Sequence, residues 1–447
     1  MDLFGTAGIR GDVRERVTPE LALAVGRAAG RDGDEFVVGR DGRETGAALA
    51  AALEAGLTSA GARVVRVGQV PTPALASASR GRRGVMVTAS HNPPGDNGLK
   101  LFVDGEEYDR DAERRIDERV VDDAPPAEWD AWGDTERVDV LAEYRSAVVE
   151  YANSHGASLD GLSVAVDCGT GMSAVATPQV LRAMGAHVVA LNAQVDGHFP
   201  GRESKPTPES LGDLRAFVRE GEFDLGIAHD GDADRVVVVD GDGEVVHEDT
   251  VVAVLAAHFV AASDAADPVV VTTPNASGRI DERVDAEGGR VERVRLGALH
   301  EGIASVRAAG DDETVVVFAA EPWKHIHPVH GPWIDGVASA AVFARLVAER
   351  GLSGLREPVA ERPYRKLSVP CPDDRKAEAM TAIETALPEA FPDGEVDTDH
   401  GVRIDRPDGS WVLVRPSGTE PYVRIYAESD EVDALVDRAR AVVEREL

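Results

Sequence analysis

The sequence predicts an α/β protein, with three related α/β domains built on mixed sheets and a C-terminal α+β domain. Three observations carry this. Short β-branched runs alternate with Ala/Leu-rich stretches of helical length, as βαβ units do. A round of strand, polar turn and helix recurs three times. The tail breaks the alternation, and its strands follow one another closely. The length of 447 residues fits, since about 100–200 residues per domain allows three or four domains.

The first round predicts a helix from Thr18 to Ala29, with Thr18 as N-cap and Pro19 in the first turn. It continues with the strand Glu35 to Gly39, the polar turn Arg40 to Arg43 and a helix from Thr45 to Ala60. The strand Arg63 to Val67, a helix near Ala74 to Ser79 and the strand Gly84 to Thr88 complete it. The second round has the strand Leu162 to Asp167, a helix around Ser173 to Met184, and the strand Asp224 to Ala228. The third has the helix Thr250 to Ala262, the strand Val269 to Thr273, and a helix near Gly278 to Glu287. The strands Val291 to Arg295 and Thr314 to Phe318 follow. In the tail, Arg362 to Pro370, Val402 to Ile404, Trp411 to Val414 and Tyr422 to Ala427 read as strands. Asp374 to Leu387 and Asp430 to Leu447 read as helices. The expected domains are residues 1–140, 141–248, 249–358 and 359–447, with linkers in Val121 to Asp139 and Gly351 to Pro358.

Composition excludes several classes. Asp and Glu number 80 against 47 Lys and Arg, for a net charge of −33, which argues against binding a polyanion such as DNA or RNA. Only five of the basic residues are lysines (100, 205, 324, 366 and 376), and no block of like charges forms an interaction tail. An acid-rich, lysine-poor surface resembles proteins of salt-loving organisms such as haloarchaea, where concentrated salt screens self-repulsion. The two cysteines, Cys168 and Cys371, lack any CxxC partner, so neither a disulfide framework nor a zinc ribbon is expected. No apolar run nears the ~18 residues of a membrane helix, and no secretory leader is visible, so a cytoplasmic protein is expected.

Four stretches carry candidate chemistry. Thr88-Ala89-Ser90-His91-Asn92-Pro93-Pro94 follows a strand, where open α/β sheets bind ligands, and a Ser there can carry a covalent group. No GxSxG elbow exists, and adjacent side chains rarely face each other, so Ser90 and His91 are not expected to pair. The bland alternative is a loop with a capping Ser. Asp230-Gly231-Asp232-Ala233-Asp234-Arg235 sets three carboxylates at alternate positions, hard oxygen ligands suited to Mg²⁺ or Ca²⁺. A strand enters this loop, against an EF-hand. The alternative is a solvated turn. Arg415-Pro416-Ser417-Gly418-Thr419-Glu420-Pro421, with Arg424 beyond it, offers guanidinium, hydroxyls and a Gly for a phosphate cradle. It is not a P-loop, and an ordinary hairpin turn competes. Glu321-Pro322-Trp323-Lys324-His325-Ile326-His327-Pro328 suits a polyhydroxylated ligand. His325, His327 and His330 match no standard metal spacing, and a structural Trp with surface histidines is the bland case.

The order of these four stretches resembles the α-D-phosphohexomutase superfamily over essentially the whole chain. Phe4 to Gly11 resembles its opening motif, Thr88 to Lys100 its phosphoserine loop, Asp230 to Arg235 its metal loop, and Arg415 to Pro421 its phosphate loop. The resemblance implies a small phosphosugar substrate, Mg²⁺, a sugar bisphosphate as activator, and a site in the cleft where the domains meet. It implies that Ser90 carries a phosphoryl group, and that Ser90, Asp230, Asp232 and Asp234 hold Mg²⁺. Arg10 and Lys100 would flank the reacting group, Lys100 or His91 would serve as general acid or base, and Arg235 would orient the phosphoryl group. Arg415, Ser417, Gly418, Thr419 and Arg424 would hold the phosphate that is not reacting. Glu321, Trp323, Lys324, His325 and Arg295 would meet the sugar.

The expected reaction moves a phosphoryl group between the 1- and 6-positions of glucosamine, glucose or mannose phosphate. Two departures from the family bear on the sugar. Trp323 and Lys324 stand where Ser and Gly are usual, and Ala298 replaces a polar residue often found three positions after the base at Arg295. The Trp and Lys favour a rival reading, interconversion of ribose 1- and 5-phosphates. A phosphatase and a silent sugar-phosphate binder are the rivals outside the isomerases.

Overall fold

The computed structural model describes residues 3–5, 8–417 and 420–447. The chain divides into two compact units. One holds the residues up to Glu248 together with Trp323–Leu355, and the other holds Asp249–Pro322 with Arg356–Leu447. This division is coarser than the four expected segments, and it cuts the Glu321–Pro328 stretch after Pro322.

The first unit contains two sheets. In the larger, the strands run in the order Ile9–Asp12, Asp96–Val103, Arg83–Val87, Glu35–Arg40, Arg63–Gln69, Thr135–Arg137. The last four are parallel, and Asp96–Val103 is antiparallel to both of its long neighbours. The helix Pro19–Ala29 starts as expected: Thr18 accepts from the Leu21 N–H, a cap that contributes about 1 kcal/mol. Asp96–Val103, not foreseen as a strand, is buried along most of its length. The expected linker supplies an edge strand, Thr135–Arg137, and the charged helix Arg110–Val121 opens on an Asp109 cap.

The smaller sheet has the order Val237–Asp240, Leu225–Ala228, Ser163–Asp167, His187–Leu191, with the last three strands parallel. The helix expected over Ser173 to Met184 is broken into a 3₁₀ turn, Met172–Val175, and a helix, Thr177–Ala183. Pro178 explains the break, because its ring clashes with the carbonyl four residues back and it has no N–H to donate. The helix Gly336–Arg350 lies in this unit against Leu141–Asn153, and the Tyr144 hydroxyl donates to its capping residue Asp335 at 2.9 Å.

In the second unit, Asp267–Thr272 lies between Arg290–Arg293 and Thr314–Glu321, parallel to both. The tail is an antiparallel sheet in the order Tyr364–Pro370, Tyr422–Glu428, Trp411–Pro416, Val402–Asp405, Glu395–Asp397. Alternation along Trp411–Pro416 separates its faces: Val412 and Val414 join the core with the helices Lys376–Ala390 and Val432–Glu446, while Trp411 and Leu413 join Tyr426 on the other. A buried ion pair, Arg279 to Glu428 at 2.9 Å, ties the two parts of this unit together, and the Trp411 indole donates to the same carboxylate. Among the described residues no helix is long and apolar enough to cross a membrane.

Candidate functional site

The loop after Arg83–Val87 is held rigidly. Thr88 Oγ1 donates to Asp41 at 2.7 Å and accepts from the Ser90 N–H at 2.9 Å. Arg43 is fully buried and spends all five of its N–H groups on this one region. Its Nε donates to Asp41, its Nη1 to the Pro93 and Asp96 carbonyls, and its Nη2 to the Ser90 and Asn92 carbonyls. Ser204 Oγ also donates to the Ser90 carbonyl, at 2.8 Å. Within this cage Ser90 adopts φ 51°, a left-handed conformation rarely taken by a non-glycine residue. That turn brings together the neighbours not expected to pair, and Ser90 Oγ lies 3.2 Å from His91 Nδ1. The Ser90 proton points elsewhere, to Asp230 Oδ2 at 2.6 Å, so Nδ1 meets the hydroxyl as a donor. Burial and the charges of Arg235 and Arg10 push His91 down to about 2, which keeps its ring neutral.

The second loop leaves the end of Leu225–Ala228. Asp230, Asp232 and Asp234 are all buried, and each offers an oxygen within 4.8 Å of the others. Thr72 Oγ1 donates to Asp232 Oδ2 at 2.6 Å, and Lys100 Nζ donates to Asp234 Oδ2 at 2.9 Å. Asp232 Oδ1 and Asp234 Oδ1 are left buried with no hydrogen-bond partner. Burial and its two acidic neighbours raise Asp230 well above the usual carboxylate range. Burial opposes ionisation of Asp234 as well, but Lys100, Lys324 and Arg235 hold it well below that range. Despite its burial, Lys100 is kept charged by Asp234 and Glu107. Unpartnered carboxylate oxygens converging in a buried loop fit a hard divalent cation, which would satisfy both oxygens and relieve the repulsion.

A second buried arginine supports this loop. Arg202 pairs with Asp167 at 2.8 Å and donates to the His229 carbonyl. His229 Nδ1 faces the Arg235 carbonyl at 2.7 Å and must donate to it, leaving Nε2 to accept from Thr177. Burial lowers this imidazole to about 4, consistent with a neutral structural ring. Gly231 lets the two loops touch. A Cβ there would stand 2.7 Å from the Ser90 carbonyl oxygen and 2.8 Å from Ser204 Oγ.

Cations surround the pair of loops. Arg10, on Ile9–Asp12, has Nε and Nη2 buried without a hydrogen-bond partner. Arg235 Nε stands 3.7 Å from Asp230 and 4.0 Å from Asp234. Lys324 bridges to Arg235 through its backbone, and the Trp323 carbonyl accepts from the Val236 N–H. Trp323 takes φ 69°, and both Lys205 and Arg235 lie within 6 Å of its ring centroid, at 5.9 and 5.8 Å. His325 departs from expectation. It is buried, and its Nδ1 lies 3.0 Å from Ser339 Oγ on the helix Gly336–Arg350. His327 and His330 are buried too, around Ser339, Tyr151 and Asp335, and are not the surface histidines of the bland reading.

The remaining candidates lie in the second unit. Arg415 donates to the Tyr426 hydroxyl at 3.2 Å, and Arg424 pairs with Glu420. The Nε groups of both arginines are buried with no hydrogen-bond partner, as an anion site would leave them. Ser417 is buried beside them, while Gly418 and Thr419 lie outside the described residues. Arg295 is exposed and paired with Glu301 at 3.1 Å, and Glu321 accepts from the Gly297 N–H. The sequence reading missed Asp41, Arg43, Thr72, Arg202 and Ser204. The one local signal was the polar turn Arg40 to Arg43 directly after a strand.

Comparison with known proteins gives concordant matches. The family described as phosphoglucomutase/phosphomannomutase matches through its alpha/beta/alpha domain I over residues 1–125, its alpha/beta/alpha domain II over 142–243, and its C-terminal domain over 367–445. A phosphopentomutase of Thermococcus kodakarensis is 42% identical, with 100% of this chain and 98% of the relative covered. A probable phosphoglucosamine mutase of Methanopyrus kandleri is 44% identical over 99% of this chain and 98% of the relative. Among solved structures, a phosphoglucomutase/phosphomannomutase family protein of Burkholderia thailandensis superposes with a TM-score of 0.83. It is 26% identical, and the match covers 100% of this chain and 97% of that one.

Proposed function

This chain belongs to the phosphoglucomutase/phosphomannomutase family of the α-D-phosphohexomutases, and from that premise we propose that it interconverts 1- and 6-phosphates of a hexose, glucosamine first among them, by way of a phosphorylated Ser90. One observation carries the reading: the Ser90 hydroxyl sits 2.6 Å from the first of three buried, converging carboxylates. A nucleophile and a cation site in direct contact are what phosphoryl transfer through a serine requires.

In the proposed reaction the bond between phosphorus and Ser90 Oγ breaks as a sugar hydroxyl forms a new bond to phosphorus. The hydroxyl proton leaves, and a sugar bisphosphate results. The sugar turns over, and its other phosphoryl group returns to Ser90 Oγ. Asp230, Asp232 and Asp234, with Ser90, would hold Mg²⁺, which supplies charge neutralisation for the group in transfer. Lys100, held as an ammonium by Asp234, adds fixed positive charge, as do Arg10 and Arg235. Of the two acid–base candidates, Lys100 carries its protons 2.9 Å from Asp234, and His91 meets Ser90 Oγ through Nδ1–H, so a proton from the sugar hydroxyl would have to go to its other nitrogen, Nε2. Arg415, Ser417 and Arg424 would hold the idle phosphate, with Gly418 and Thr419 between them in sequence, while Glu321, Trp323, Lys324 and Arg295 would meet the sugar. A sugar bisphosphate would prime Ser90.

A second reading, a phosphopentomutase, is favoured by Trp323. Its indole stands where the resemblance puts a Ser, with Lys205 and Arg235 within 6 Å of its ring centroid, and a bulkier side chain there would favour a smaller sugar. The 42% identity to a phosphopentomutase supports it as well.

A substrate panel separates these readings. The 1-phosphates of glucosamine, glucose, mannose and ribose are assayed in concentrated KCl with Mg²⁺, each primed with its bisphosphate. Hexose 6-phosphate is the expected product, and ribose-only conversion would establish the second reading. Release of inorganic phosphate without isomerisation would instead make the protein a phosphatase. In the same assay, stripping divalent cations with EDTA is expected to abolish turnover, and Mg²⁺ to restore it. Full turnover in EDTA would remove the aspartate triad from the mechanism.

A further inference from the structure

The five lysines of this chain all fall at its two candidate sites. Lys100, Lys205 and Lys324 lie at the Ser90 and aspartate loops or at Trp323. Lys376 lies at the phosphate loop, and Lys366 stands 5.7 Å from the ring centroid of Tyr426, whose hydroxyl meets Arg415. Every other basic position is Arg.

We propose that Lys376 is a positioning residue of the phosphate-binding loop, fixing both flanks of residues 418–419 so that Arg415, Ser417 and Arg424 keep the spacing an anionic phosphate needs. Lys376 is the first residue of the helix Lys376–Ala390, and its side chain is 13% exposed. Its Nζ donates to the Ser417 carbonyl at 2.6 Å and to the Glu420 carbonyl at 2.6 Å. The third proton is taken by Asp373 Oδ1, also at 2.6 Å. All three donors of the ammonium are therefore used, and they radiate from a single atom. A planar guanidinium spreads its donors over three nitrogens and cannot meet these acceptors from one point.

Tying up the two carbonyls has a consequence for an anion. A carbonyl oxygen facing a phosphate would repel it, and Lys376 holds both of these to itself. Tyr426 completes the arrangement from the sheet. Its hydroxyl accepts from Arg415, and Lys366 Nζ lies 5.7 Å from its ring centroid. The partnerless Nε groups of Arg415 and Arg424 show that donors remain in reserve for a ligand once these internal bonds are made.

The inference rests on the phosphosugar reading for the identity of the anion, and the test separates the two. Glucose 1,6-bisphosphate is titrated by calorimetry into wild type, Lys376→Met and Lys376→Arg, and the same proteins are assayed for mutase turnover. Loss of charged hydrogen bonds is expected to weaken binding and raise KM about tenfold or more in Lys376→Met, with kcat little changed. Lys376→Arg should recover only part of this. A purely structural lysine would lower the unfolding midpoint and the active fraction while leaving Kd and KM as in wild type, and that result would overturn the proposal. Full recovery by Arg would overturn the single-point geometry. Wild-type binding without turnover, with Lys376→Met still weakened, would sink the mutase reading and leave the role of Lys376 standing.

Discussion

Ser90→Ala is expected to cut phosphoryl transfer by about 10⁴-fold or more while leaving sugar bisphosphate binding measurable. The magnitude follows from the commitments of the nearby hydroxyls among the described residues. Thr88 Oγ1 is committed to Asp41, Thr72 Oγ1 to Asp232, and Ser204 Oγ to the Ser90 carbonyl. None can move to the nucleophile's place without breaking the cage around it. The substitution removes only the Oγ contacts with Asp230 and His91, so folding should be nearly unaffected. Phosphorus NMR of the product mixture measures the rate, and a thermal shift with glucose 1,6-bisphosphate reports binding. Turnover within tenfold of wild type would refute a phosphoserine intermediate.

Arg43→Met should be the most damaging substitution outside the reacting groups. It takes the counter-charge from a buried Asp41 whose carboxyl burial already pushes upward, and it removes a donor from four carbonyls, of which those of Ser90 and Pro93 keep another. Breaking a buried pair in this way costs about 3–5 kcal/mol. The loop that sets Ser90 at φ 51° would relax, so activity should fall further than stability alone explains. Arg43→Lys should not rescue it, since three donors cannot do the work of five. Thermal unfolding and specific activity of both variants decide the point. A stable, fully active Arg43→Lys would show that charge alone holds the loop.

Several elements were legible because their signals are local. Thr18 with Pro19 announces a helix start, and the helix Pro19–Ala29 begins there. The β-branched runs gave several parallel strands within a residue or two, as at Glu35–Arg40 and Asp267–Thr272, but not His187–Leu191 or the edge strand Thr135–Arg137. Asp96–Val103 was missed because its first residues, Asp-Asn-Gly, read as a turn. Burial between two antiparallel neighbours makes it a strand. Pro178 broke a helix that the apolar pattern alone would have continued.

The sequence by itself marked the candidate residues. Ser90 and the three loop aspartates sit in short loops next to strands, and Arg415 lies near the end of the strand Trp411–Pro416, where spacing along the chain is enough to bring such groups together. The tertiary structure alone decided what holds them. Arg43 reaches the Ser90 carbonyl from 47 residues away, Thr72 reaches Asp232 across 160, and Lys376 reaches Ser417 across 41. It also turned His325 inward, onto a helix the local sequence gives no reason to place there. The partners of Arg43 and Lys376 are backbone carbonyls, which every residue type possesses, and those of Thr72 and His325 are single side-chain oxygens far off in sequence. No pattern of side chains marks them, and they become partners only when burial removes the water that would otherwise satisfy both sides.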